Sequence, residues 1–299
     1  MDLRHNQLPW SEQIWAKINA DLAQALAQSR RVRAPFEVFQ VPSSTQTVMA
    51  DKADDNGEFD FSETTTTPVV QLSVDFRLRE SQVFNEGENF FALDRIVEAA
   101  HRLGHAEDWL LIRPNSDERL QAFSKSKAVC TQLREFWDGL YYPTDGTGYQ
   151  PGDIPLFVPP VDAKDSVGVA LFRYVVAARQ ELRKHSRYEP YALILSNDLE
   201  GEISSTVRGS NSLNTPVERM RPLVTAGIHS TPALPDNTAL VVSASRAWVD
   251  IAQAMEPSVQ FVRIGENGVY EMRLVERFAF RLKDRRARCK IEVRTLDLS

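Results

Sequence analysis

The chain has 299 residues, 42% hydrophobic and 25% charged, ordinary values for a globular protein of one large or two medium domains. Its net charge of −6 argues against general binding to nucleic acid, which needs a basic surface to displace counterions. The two cysteines, Cys130 and Cys289, form no metal-spaced pair and suit a reducing cytoplasm, the N-terminus lacks a basic-then-apolar leader pattern, and no apolar run reaches membrane-spanning length.

Leu8 to Arg30 predicts the first helix. Ser11 is the expected N-cap, and Ile14, Trp15, Ile18, Leu22, Ala25 and Leu26 follow helical spacing. That stripe has two readings. It packs on the chain's own core, or it is a docking face completed by another chain. From Arg31 to Phe76 the pattern turns extended. A short β-like run is followed by an Asp- and Thr-rich stretch and then by Val70, Leu72, Val74, Phe76 and Leu78 in strict alternation. Two strands around a long polar stretch predict a hairpin arm with little core of its own, expected to lie on a neighbouring subunit.

Asn89 to Ile112 predicts the longest helix, a spine against which the β-rich segments pack. Leu93, Ile96, Val97, Ala100 and Leu103 share one face, Asp94, Arg95, Glu98, Arg102 and Glu107 the other, and Pro114 follows as a stop. Residues 115–164 are the least legible, with a weak helical pattern near Val129, Leu133, Phe136 and Trp137 and a turn-rich loop beyond. Gly146, Gly148 and Gly152 match neither a phosphate loop nor a dinucleotide fingerprint.

Asp165 to Lys184 predicts a second substantial helix. A buried strand follows at Tyr191 to Ser196, then a short helix at Asn197 to Val207 and a polar loop running into another helix by Met220. Ile228 to Leu234 reads as a linker and Thr238 to Ala244 as a strand. Val259 to Ile264, Val269 to Val275, Arg277 to Leu282 and Lys290 to Val293 predict a strand-rich end, with a hairpin turn at Gly265 to Gly268. The basic run from Arg273 to Arg294 reads as a solvated strand face, with a polyanion or subunit contact as the alternative.

The chemistry-bearing residues make no catalytic constellation. His101 and His105 are spaced i, i+4, but Arg102 stands where the metalloprotease pattern needs Glu. Asp51, Asp54, Asp55, Glu58 and Asp60 fail the spacing of a calcium loop. No serine occupies a nucleophile elbow. The expectation is a chain that is not an enzyme, with no metal and no cofactor.

Several stretches in order resemble the encapsulin shell proteins (the linocin-like family). They are LPWSEQIWAKINADLAQALAQSRRV, VVQLSVDFRL followed by LDRIVEAAHRLGHAED, EPYALILSNDLEG with Glu189 at a position where the family has Gly, VERMRPLVTAGIHSTPALPDNTALVVSAS, and MRLVERFAFRL. The long arm and residues 115–164 are departures. The resemblance implies an α+β chain with the Hong Kong 97-type tailed-phage capsid fold. Its expected parts are an N-terminal helix and arm at 1–33, an extended loop at 34–76, a peripheral domain at 77–186 plus 256–299 with an insertion at 115–164, and an axial domain at 187–255. It implies self-assembly into an icosahedral nanocompartment in the cytoplasm, enclosing a cargo enzyme docked by a C-terminal targeting peptide, by resemblance a dye-decolourising peroxidase or a ferritin-like protein. Neither nucleic acid nor membrane is an expected partner. It further implies a cargo-binding face at Trp15, Ile18, Leu22 and Leu26, and a pore lined by Arg208, Ser210, Asn211, Ser212 and Asn214. The alternative is a tailed-phage major capsid protein that packages DNA. A basic lumen would mark that reading, an apolar cargo groove the first.

Overall fold

A computed structural model describes residues 8–50, 66–113, 130–131, 139–141, 154–157, 166–205 and 215–293. The first helix, α1 (Glu12–Ser29), begins where the Ser11 hydroxyl accepts a hydrogen bond from the Ile14 amide. The spine is α4 (Phe91–Ile112), preceded by two short helices, α2 (Glu80–Phe84) and α3 (Glu86–Asn89). Phe90, with φ at 52°, breaks α3 from α4, and the Glu86 carboxylate accepts from the amides of Ala92 at 2.6 Å and Leu93 at 2.8 Å. Glu86 thereby caps two of the spine's orphan donors. Gly104 lets α1 approach α4 closely, because a Cβ there would lie 2.1 Å from the Ser29 hydroxyl.

One five-stranded sheet carries this helical layer. Its order is β1 (Val38–Gln40), β10 (Val249–Ile264), β11 (Val269–Leu282), β4 (Val70–Arg79) and β5 (Cys130–Thr131), with β1 parallel to β10 and the remaining pairs antiparallel. The expected hairpin at Gly265 to Gly268 joins β10 to β11, and Asn267 and Gly268 supply its positive φ angles. The strand-rich end is longer than expected. Val269 to Leu282 is one continuous strand, because Glu276, taken as a break in the pattern, is an inward-facing charge with partners. β2 (Thr47–Met49) and β3 (Thr66–Pro68) pair antiparallel inside the stretch read as polar, whereas the two strands expected to form the hairpin, β1 and β4, pair with β10 and β11 instead. Residues 51–65, between β2 and β3, lie outside the described ones.

The second sheet runs β6 (Ile154–Phe157), β12 (Arg288–Glu292), β9 (Thr238–Ser243), β7 (Tyr191–Leu195) and β8 (Ile228–Ser230). β8 lies where a linker was expected; its parallel pairing with β7 decides its conformation. β7 is buried at every position because both its faces are covered. Tyr191, Leu193 and Leu195 pack with α5 (Val167–Lys184), α6 (Asn197–Ser204) and α7 (Pro216–Met220), while Ala192 and Ile194 join the core beneath α1 and α4. Thus α5 and β12 sit with this second sheet.

Candidate functional site

Functional geometry gathers around α1. Ile18, Leu22 and Leu26 are 1%, 3% and 5% exposed and join the core that also holds α4 residues Leu93, Ile96 and Leu103. Each contributes about 1.5–3 kcal/mol by leaving water. Trp15 is half-buried and meets Trp10 edge to face at 5.0 Å, and Trp10 donates its indole N–H to the Val83 carbonyl at 2.8 Å. The expected stripe therefore anchors α1 to its own chain while parts of it still border open space.

Two grooves flank the helix. One, of about 580 Å³, has Leu22, Leu26 and Phe36 as buried lining and Ala23, Ala27 and Val38 as exposed lining. Arg30, Arg33 and Glu256 add charge to it. The other, of about 310 Å³, is bordered by Ile14, Lys17, Ile18, Phe90 and Leu93, and the Lys17 ammonium sits 3.7 Å from the centre of the Phe90 ring. Phe90 and its neighbour Phe91 are exposed.

Beneath the first groove lies a buried ionic joint that sequence reasoning missed. Glu107, assigned to the solvent side of the spine, is fully buried. Arg30 Nε lies 2.5 Å from Glu107 Oε2 and Arg33 Nη1 lies 2.7 Å from Glu107 Oε1. Arg30 also donates to Glu276 on β11, and Arg33 to Gln253 on β10. Asp108 accepts from the Val32 amide at 3.0 Å and the Thr231 hydroxyl at 3.1 Å. Burial pushes Glu276 up to about 7 against the pull of Arg30, with Glu107 pushing the same way. Burial likewise raises Asp108 to about 7. The available signal was the apolar surround, with Ala106 before Glu107 and Asp108 and Trp109 to Ile112 after them.

The basic run is also more than a solvated face. Arg281 grips the Asp250 carboxylate with two bonds of 2.6 Å, and Lys283 joins it at 2.8 Å. Arg277 donates to the Ser43 carbonyl and, at 3.0 Å, to that of Thr45, while Arg281 donates to the Met49 carbonyl at 2.6 Å. These arginines hold the base of the arm.

Arg208, Ser210, Asn211, Ser212 and Asn214 lie outside the described residues, as does the acidic run from Asp51 to Asp60. Among the described residues no group of three His, Cys, Asp or Glu side chains is placed to hold a metal, and no helix is long and apolar enough to cross a membrane. His105 is lowered by burial and by His101, and the Cys289 thiol is pushed up by burial to about 12, far from a reactive thiolate.

An N-terminal helix laid on a spine helix, the antiparallel β2–β3 pair beside it in sequence and two five-stranded sheets define the tailed-phage capsid fold. The likeness to solved shells agrees. The virus-like particle from Pyrococcus furiosus superposes with a TM-score of 0.67 at 15% identity, over 94% of this chain and 100% of that one. The capsid of Myoviridae phage XM1 gives 0.55 at 13% identity, over 87% of this chain and 90% of that one. In sequence, residues 159–279 match the Linocin_M18 family, described as encapsulating protein for peroxidase. The type 1 encapsulin shell protein EncA of Myxococcus xanthus (strain DK1622) is 23% identical over 295 residues, 97% of this chain and 96% of that protein. The fold is the Hong Kong 97-type, α+β as expected, and the resemblance to the encapsulin shell proteins holds along nearly the whole chain.

Proposed function

We propose that this chain is the structural subunit of an icosahedral encapsulin nanocompartment in the cytoplasm, with no catalysis of its own. The observation that carries the reading is the near full-length similarity to an encapsulin shell protein on a capsid fold. In this reading the sheet bearing α1 and α4 corresponds to the peripheral domain and the sheet bearing α5 to the axial domain, which moves Val167–Lys184 and Arg288–Glu292 out of the peripheral bounds expected at 77–186 and 256–299. The loop containing Arg208, Ser210, Asn211, Ser212 and Asn214 then surrounds a symmetry axis, where small polar side chains leave a wet opening.

The cargo in this reading is an enzyme, in the first instance a peroxidase, whose C-terminal peptide lies along α1. Apolar anchors of that peptide enter the groove beside Leu22 and Leu26, and its smaller neighbour beside Trp15 and Ile18 accepts the flanking residues. A few aliphatic anchors supply most of the affinity in such a mode. Single binding is modest, and many copies in a closed shell retain the cargo by avidity.

Negative-stain microscopy of the purified protein tests the shell, and mass spectrometry of what copurifies tests the cargo. A monomer in solution refutes the first. Particles filled with nucleic acid and lacking an enzyme favour the phage-capsid reading, to which the fold alone is equally suited.

A further inference from the structure

The groove beside Leu22 and Leu26 and the buried charge cluster beneath it share two side chains. Arg30 and Arg33 line the groove. The same guanidiniums hold the cluster together, Arg30 meeting Glu107 and Glu276, and Arg33 meeting Glu107 and Gln253. Arg30 closes α1 as its C-cap, and Arg33 lies just beyond it at the start of the arm. A change of charge in the cluster therefore acts directly on the groove's wall.

Two carboxyls of the cluster are poorly served as anions. Glu276 Oε1 is buried with no hydrogen-bond partner among the described residues. That costs an ionised oxygen far more than a neutral one. Glu276 is faced by Arg30 at the end of α1, by Arg33 beyond it and by Glu107 on α4, while its partner on β4, Leu72, brings no charge. Glu256 on β10 adds negative charge near Arg30 from the groove's rim. Asp108 faces the Val32 and Arg31 backbone, the Thr231 hydroxyl and Glu107. Ionising both acids sets three buried carboxylates against the two guanidiniums. Burial raises both to about 7, so each keeps its proton in the fold where it would have lost it in water.

Resting on the shell reading above, we propose that the protons on Glu276 and Asp108 hold α1 and the groove in shape, and that their loss frees the cargo peptide from the groove while the shell stays closed. The arm has a second hold outside the cluster, in the bonds of Arg277 and Arg281 to the Ser43, Thr45 and Met49 carbonyls. An acid raised in the fold stabilises it below its ordinary value, and that contribution drains away as the pH climbs to the folded value. Release therefore runs from about pH 5 to just above pH 7 and then levels off. His229, lowered by burial and by Arg31, titrates in the opposite sense.

A thiol in the groove tests the latch. Ala27 is exposed and lines the groove, so Ala27→Cys reacts with a small pyridyl disulfide unless a peptide covers it. Shells purified with their enzyme are compared with shells of the same chain made without it. The ratio of the two labelling rates reads occupancy at each pH and cancels thiol ionisation, with the background of Cys130 and Cys289 taken from the parent chain. Loaded shells should label about tenfold more slowly than empty ones at pH 5, a factor within what a single linked proton supplies, and as fast as empty ones at pH 8. Glu276→Gln with Asp108→Asn mimics the protonated acids and should keep the thiol covered at every pH. Glu276→Gln alone should keep part of that cover at pH 8, and circular dichroism checks that each variant folds. Equal cover at pH 5 and pH 8 in the parent groove overturns the proposal. So does a pH trend that survives in both variants, a trend abolished by His229→Gln, or particles that break up over the same pH range. Loaded and empty shells that label alike already at pH 5 overturn the cargo reading of the groove instead, and particles that never form overturn the shell reading.

Discussion

The two sheets solve the burial problem in different ways. Between α5 and β7 the core is apolar: Leu171, Val175, Leu182, Leu193, Leu195, Leu199 and Val241 are fully buried there, and the Tyr191 hydroxyl is satisfied by the Arg187 carbonyl at 2.7 Å. Between α1, α4 and β11 the apolar core is interrupted by Arg30, Arg33, Glu107, Glu276 and Asp108. An apolar core tolerates small shifts of one layer over another. A charge cluster does not, because each guanidinium has to meet its own carboxylate. The charged joint thus fixes the angle of α1 and the start of the arm, the parts proposed to meet cargo and neighbours. The apolar joint forms a block that holds together by packing.

Breaking the charge cluster is expected to have the largest effect. Arg30→Ala leaves Glu107 and Glu276 buried with one cation fewer and should cost about 3–5 kcal/mol. Urea unfolding checks this, with hydrogen exchange to show that α1 loosens before β7. Leu193→Ala in the apolar block should cost about 2–5 kcal/mol, and there β7 and α5 lose protection while α1 keeps its own. If both variants unfold the whole chain in one step, the two joints are not separate and the comparison fails.

The next effect is pH dependence, and it belongs to the charged joint alone. Glu276 and Asp108 have ordinary values of 4.5 and 3.8 and are both raised to about 7 by burial. An acid raised in the fold adds stability below its ordinary value and loses it as the pH climbs through the folded value. Arg30, Arg33 and Glu107 face Glu276, and Glu107 also faces Asp108, so both respond to one neighbourhood. Protection of α1 should therefore fall between pH 5 and pH 8, after correction for intrinsic exchange, and Glu276→Gln should flatten the curve. His105 and His229 are lowered by burial and act in the opposite direction, costing stability on the acid side. An α1 protection that rises toward pH 8 would contradict the assignment.

Much of the fold was legible because its elements obey simple periods. The Ile18–Leu22–Leu26 stripe, the alternation from Val70 to Leu78 and the uninterrupted YALIL run each report how many faces are covered. Buried charge was not legible. A glutamate in a helix reads as solvent-facing unless something says otherwise, and the partners of Glu107, Arg30 and Arg33, lie more than 70 residues away in the sequence. The basic run was misread for the same reason, since Arg277 and Arg281 contact arm carbonyls more than 230 residues distant in sequence. The groove beside α1 was half legible. Its apolar stripe was visible, but the exposed lining residues Ala23 and Ala27 look like ordinary helix surface.

The smallest expected effect on stability carries the most about function. Ile18→Asp cannot isolate cargo docking, because a charge at a 1% exposed core position would dislodge α1 itself. Ala23 and Ala27 are exposed on α1 and line the larger groove. Ala23→Arg with Ala27→Arg keeps good helix formers at both positions, so stability should stay within about 0.5 kcal/mol of the parent. The two long side chains nevertheless fill the groove and add charge where an apolar anchor is proposed to sit. The shell should assemble at its normal size and lose most of its copurifying enzyme. Lys17→Glu, beside the smaller groove, should reduce loading less, because it touches only the flanking contacts. If the double arginine variant loads fully while Lys17→Glu empties the shell, the peptide lies at the Phe90 end of α1. If both load fully, α1 serves only its own chain, and its two grooves are gaps between elements that the cargo never enters.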